Sequence, residues 1–186
     1  MGFSRAQLLT FQDAEVPDLI GDGCRLLFVG INPGLWTAAT GAHFARPGNR
    51  FYPALAAAGI VDHVIDASDG MRPQDRDALL RAGIGITNLA PRATAKASEL
   101  TVDELRAGAE RLRDTVTRVR PRVVAVAGIT AYRTAFGLPK ATVGLQREPF
   151  AGAELWVVPN PSGLNAHETV TSLAVAYRAA AEAAHR

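Results

Sequence analysis

Four short apolar runs constrain this chain most. Arg25–Ile31, Gly83–Leu89, Arg122–Gly128 and ELWVVP at 154–159 read as core strands, the first of them apolar on both faces. A strand of that kind needs cover above and below, as in a parallel sheet. Parallel neighbours must be joined by crossovers of a dozen residues or more, usually helical. The segments between the runs carry such signals. Asn49–Ala58 reads as a short helix closed by Gly59 in the position after its C-cap. Pro73–Ala82 opens with a proline in its first turn and is followed by Gly83. Thr101–Glu104 (TVDE) is a capping box, followed by Leu105, Ala109, Leu112, Val116 and Val119 at helical spacing until Pro121 stops the run. Thr130–Phe136 reads as a further short helix. Glu168–Ala184 reads as a closing helix with Val170, Leu173, Ala174, Tyr177 and Ala181 inward. Gln146–Phe150 is expected to form a local ribbon with 154–159, turning at Gly152.

The expected fold is therefore α/β: a three-layer α/β/α sandwich around a central, mostly parallel, four-stranded sheet. A length of 186 residues suits one domain, 1–186. No apolar run approaches the ~20 residues of a membrane span, and the first twenty residues lack a signal-peptide core. The expectation is a cytoplasmic protein with no membrane partner. The single cysteine, Cys24, excludes an internal disulfide and any cysteine-built zinc or iron–sulfur site. The four histidines form no ligand pattern, so no metal and no cofactor is expected.

In parallel sheets ligands bind beyond the carboxyl ends of the strands. Two loops at such ends stand out: GINPG at 30–34, continuing to Phe51, and NPSGLN at 160–165. The net charge is only +2, but both loops lack acids, and Arg46 and Arg50 sit in the first. That pattern fits a surface facing an anion as well as plain solvation. The first loop is neither G-x-G-x-x-G nor a P-loop, and the following helix is expected only from about Asn49, so nucleotide binding is weakly supported. No serine or cysteine sits on a nucleophile elbow. What remains is an Asn-Pro step in each loop, Asn32 and Asn160. An amide can orient a water or donate to a carbonyl, and a following proline stiffens its backbone. Either step alone would read equally well as a turn.

GINPGLWTAATGAHFARPGNRF with NPSGLN, and GITNLAPRATAKASELT between them, resembles the mismatch-specific uracil/thymine-DNA glycosylases of the uracil-DNA glycosylase superfamily. The resemblance runs from about Leu26 to Ala180. It implies a monofunctional enzyme of base excision repair. Such an enzyme flips uracil, with thymine, ethenocytosine or another damaged base as further candidate substrates, from mismatched duplex DNA and hydrolyses the N-glycosidic bond to leave an abasic site. It implies double-stranded DNA as partner and a monomer. The resemblance assigns Asn32 to positioning the catalytic water, the backbone at Ile31 to the pyrimidine carbonyls, Thr37 to the base C5 atom and Phe44 to stacking on the flipped base. It places Asn160 near the base or the water, Asn49 in support of the loop and Ser162 against a DNA phosphate. Gly163, Leu164 and Asn165 become a wedge that fills the vacated stack. Trp36, His43 and Asn88 depart from, or vary within, the pattern and leave the substrate range open. A DNA-binding relative of low activity and a hydrolase of free nucleosides are the competing classes.

Overall fold

The computed structural model describes residues 2–186. Its strands are β1 (Leu26–Gly30), β2 (Ile84–Asn88), β3 (Val123–Ala127), β4 (Gly144–Leu145) and β5 (Glu154–Val158). Its α-helices are α1 (Arg5–Leu9), α2 (Leu35–Thr40), α3 (Phe51–Ala57), α4 (Pro73–Arg81), α5 (Val102–Val119), α6 (Ile129–Phe136) and α7 (Val170–His185). The sheet order is β2-β1-β3-β5-β4. The first four pair in parallel, with Phe28 level with Ile86 and Ala125. The α/β architecture is thus as expected, with a fifth strand added at the edge.

That fifth strand corrects the expected ribbon. β4 pairs antiparallel with β5 through Gly144 and Leu145, and beyond Gln146 only an isolated Phe150–Ala153 bridge continues the pairing. The Gln146 side chain folds back to donate to the carbonyls of Thr142 and Gly144, a local alternative to a longer ladder.

Side chains alternate across the sheet and make two cores. Leu26, Phe28, Ile84 and Ile86 face α3 and α7, where Phe51, Leu55, Leu173 and Tyr177 close the layer. Leu27, Val29, Val124 and Val157 face α5 and α6, against Leu105, Leu112, Val116 and Tyr132. The capping box forms as read: Thr101 accepts from the Glu104 amide and Glu104 accepts from that of Thr101. Two short helices, α1 and α2, were not anticipated. α2 begins at Leu35, directly after the GINPG turn, so the expectation of no helix before Asn49 is wrong. Its sequence, LWTAAT, is too short to show a period.

Candidate active site

The crossover leaving β1 runs to β2, whereas the chain leaving β3 runs the other way, through the edge strand β4 to β5. A crevice opens at such a switch point. There a cavity of about 170 Å³ is lined by Ile31, Asn32, Thr37, Phe44, Asn49, Asn160 and Ser162 together with Gly30, His43 and Asn88. It is smaller than most drug-sized sites and suits a single small planar group. Its only charged lining residue is Arg46. Gly163, Leu164 and Asn165 stand outside it on the adjoining turn, with Leu164 76% exposed.

Asn32 is held from behind. The GINPG turn is laced to the segment after β2 by the amides of Leu89, Ala90 and Thr94, which donate to the carbonyls of Gly30, Ile31 and Pro33. The Asn32 Nδ2 donates to the Arg92 carbonyl at 3.0 Å and to Thr94 Oγ1 at 2.8 Å. Thr94 Oγ1 in turn donates to the Lys96 carbonyl. A carbonyl can only accept, so these bonds fix which end of the amide is nitrogen. The Oδ1 accepts from no described residue. Arg92 is itself clamped by Glu104 and Asp13, and its guanidinium holds the Glu104 carboxyl down to about 2. Asn160 is arranged in the opposite sense. Its Oδ1 accepts from the Ser162 amide at 2.9 Å, and its Nδ2 donates to no described residue. One lining asparagine thus offers an acceptor and the other a donor.

Phe44 is half-buried at the margin of the core. Its ring stacks on Phe51 at 4.0 Å between centroids and also lines the cavity. Its φ of 55° is left-handed, a conformation that costs a non-glycine residue roughly 1–2 kcal/mol. A Cβ at position 30 would collide with Asn88 Oδ1 and push that side chain aside, while meeting the Phe44 ring at ordinary contact distance. His43 is buried. Its Nε2 sits 2.9 Å from the Pro17 carbonyl and must carry the proton, leaving Nδ1 to accept from Asn88 Nδ2 at 3.4 Å. Burial pushes the His43 pKa down, favouring the neutral ring. Thr37 is 6% exposed, and its Oγ1 has no bonded partner among the described residues. Trp36 points elsewhere: its indole donates to the Ser68 carbonyl and meets Phe3 edge-on.

The turn at 160–165 is braced internally and from the first loop. Asn165 Nδ2 donates to the Asn160 carbonyl, and the Asn165 and Leu164 amides donate to Ser162. The Arg50 amide donates to the Pro161 carbonyl. The Arg50 guanidinium donates to the carbonyls of Glu168 at 2.7 Å, Asn165 at 2.9 Å and Gly163 at 3.3 Å. Gly163 lies so close to the Gly48 carbonyl that a side chain there would collide. Asn49 Oδ1 accepts from the Phe51 amide and starts α3.

Sequence reasoning named Asn32 and Asn160 but missed Thr94 and Arg92, which orient Asn32, and met Arg50 only as a cation suited to an anion, whereas its guanidinium ties the two loops. It met His43 and Asn88 only as departures. The capping box at Thr101–Glu104 was visible, but nothing in it signalled that Glu104 also holds Arg92.

A family model described as the uracil DNA glycosylase superfamily matches residues 17–182. Among solved structures, one from Methanosarcina acetivorans, determined by solution NMR and provisionally described as a uracil DNA glycosylase, superposes with a TM-score of 0.60. The match covers 90% of this chain and 97% of that one at 17% identity, a likeness of fold.

Proposed function

The chain belongs to the uracil DNA glycosylase superfamily, and from that membership we propose that it is a monofunctional DNA glycosylase that removes uracil from mismatched duplex DNA. The observation that carries this reading is the pair of fixed asparagines, one presenting an acceptor and one a donor into an acid-free cavity.

Ordinary glycoside hydrolysis uses two carboxylates because the leaving alkoxide needs a strong acid. Uracil leaves differently: its N1 anion is spread over two carbonyls, so hydrogen-bond donors suffice. In the proposed reaction the base swings out of the stack and slides onto Phe44, beneath the glycine turn at Ile31. The N1–C1′ bond breaks with its electrons going to uracil. A water whose proton points at Asn32 Oδ1 adds to C1′, and its lost proton balances the one uracil gains. Asn160 donates to the base or steadies the water. Neither group needs to change charge, and no carboxylate lines the cavity to repel phosphates. Thr37 stands where a C5 methyl would go and favours uracil over thymine. Ser162 meets a phosphate, and Leu164 fills the gap in the stack while backbone groups of its turn face the unpaired guanine. No helix among the described residues is long and apolar enough to cross a membrane.

The test is single-turnover excision from a labelled duplex with one G·U pair, scored by alkali cleavage of the abasic product. Wild type should give product, and Asn32→Ala should slow the step ~10²–10⁴-fold while binding the duplex as before. A folded wild type that binds this duplex without product, or an Asn32→Ala rate within about threefold of wild type, would refute the reading.

A further inference from the structure

A second cavity, of about 590 Å³, lies between the segment after α6 and the segment after β4. It is within the range of ligand sites but unlike the first cavity in chemistry. Its floor is aromatic: Tyr132 and Phe136 stack at 4.4 Å, and Phe136 meets Phe150 at 5.2 Å. Leu138, 49% exposed, forms part of its wall, and Val143 and Leu145 stand exposed on the segment beside it.

Two independent features say that this is more than an apolar dent. Tyr132 is 1% exposed as a residue and lines the cavity, and its hydroxyl bonds to no described residue. No buried polar side-chain atom among the described residues lacks a partner, so this hydroxyl is the accessible tip of the ring, open to an occupant of the cavity. The rim is cationic. Lys140 and Arg113 have no carboxylate partner among the described residues, Arg113 lying 4.7 Å over the Phe150 ring. Arg147 has only a loose 3.8 Å contact with Glu148, the one acid there, and both side chains are almost wholly exposed. Such a pair contributes little.

The location matters as well. α6 starts at the carboxyl end of β3 and runs back along the sheet for eight residues, so the cavity beyond its C-terminus sits toward the opposite end from the asparagine pocket. An occupant would not displace a substrate bound there.

We propose that this groove docks an acidic peptide segment of a partner protein, anchored by one aromatic side chain on the Tyr132–Phe136–Phe150 floor. The flanking carboxylates lie against Lys140, Arg147 and Arg113, and the Tyr132 hydroxyl bonds to the segment's backbone. A nucleic acid fits less well, because the floor is apolar and Glu148 faces the rim.

The full chain is titrated against the fluorescein-labelled peptide DGDDFDDG by anisotropy. Saturable binding is expected. It should weaken about tenfold when the peptide's Phe becomes Ala, and about tenfold in the double variant Lys140→Glu, Arg147→Glu. Tyr132→Phe should weaken it severalfold. Both charge-reversed positions are exposed, so the double variant should fold and excise uracil at the wild-type rate. Excess abasic duplex should leave the peptide bound. No saturation, equal binding of KGKKFKKG, an undiminished affinity in the double variant, or displacement by DNA would each overturn the proposal.

Discussion

Arg50→Ala should separate duplex excision from single-strand excision. The guanidinium spans three carbonyls of the 160–168 segment. A hydrogen bond contributes ~1 kcal/mol net, and more where one partner is charged. The 3.3 Å bond counts for little, and the Arg50 amide and the Asn165 side chain still tie the turn in the variant. About 2 kcal/mol is then lost from the braced form, which lowers its population ~30-fold. Only a substrate that must be unstacked needs the braced turn, since extruding a base costs a few kcal/mol in a duplex and least in a single strand. Single-turnover excision from a G·U duplex should fall by up to about 30-fold, with single-stranded uracil DNA nearly unaffected. 2-Aminopurine placed beside the uracil should report slower unstacking in the same variant. Arg50→Lys should recover little, because one ammonium cannot serve three carbonyls in a fixed fork. Equal losses on both substrates would refute the reasoning and make Arg50 a phosphate contact or a fold determinant.

Three further outcomes follow from the same geometry. Thr37→Gly should raise the G·T/G·U rate ratio, since a pocket discriminates one methyl-sized group by about 10–200-fold; an unchanged ratio in matched duplexes would remove Thr37 from the C5 position. Leu164→Ala should slow duplex excision more than single-strand excision, while its 76% exposure predicts an unchanged Tm; a large drop in Tm would make it a packing residue. Glu104 is depressed to about 2 by Arg92, so the stability it contributes is present above its unfolded value near ~4.3 and is lost as pH falls through about 2. The Tm gap between wild type and Glu104→Gln should therefore be widest near neutral pH and close across that window; a gap independent of pH would contradict the pairing.

The strands were legible because two-sided burial leaves a continuous apolar run, as at Leu26–Val29 and Val123–Ala127. Helix ends were legible where chemistry is local: the Thr101–Glu104 box, and Gly59 and Gly83 with φ of 73° after their helices. α2 was hidden because its six residues sit between glycines that read as loop. β4 was hidden because two residues carry no period. In the pocket, the asparagines showed through their Asn-Pro context. The orientation of Asn32 did not, because it depends on the Arg92 carbonyl and the Thr94 hydroxyl, 60 and 62 residues away in sequence. His43 and Asn88, 45 residues apart, were equally invisible, since a hydrogen bond between distant side chains leaves no periodic trace.

The pocket takes Asn32 from the turn after β1, Asn88 from the end of β2 and Asn160 from the turn after β5, with Thr94, beyond β2, anchoring Asn32. Arg50 must then reach the carbonyls of Gly163, Asn165 and Glu168, 113 to 118 positions further on. Chains emerge from the ribosome N-terminus first. A nascent chain released only to β3 therefore already contains Asn32 and its Thr94 anchor, but neither the opposing amide nor the braced turn. Long-range closures of this sort form late, because loop entropy must be met before the contact rewards it. The two facing amides thus come together only with the last step of sheet assembly, and a partly made chain holds Asn32 in place with nothing opposite it.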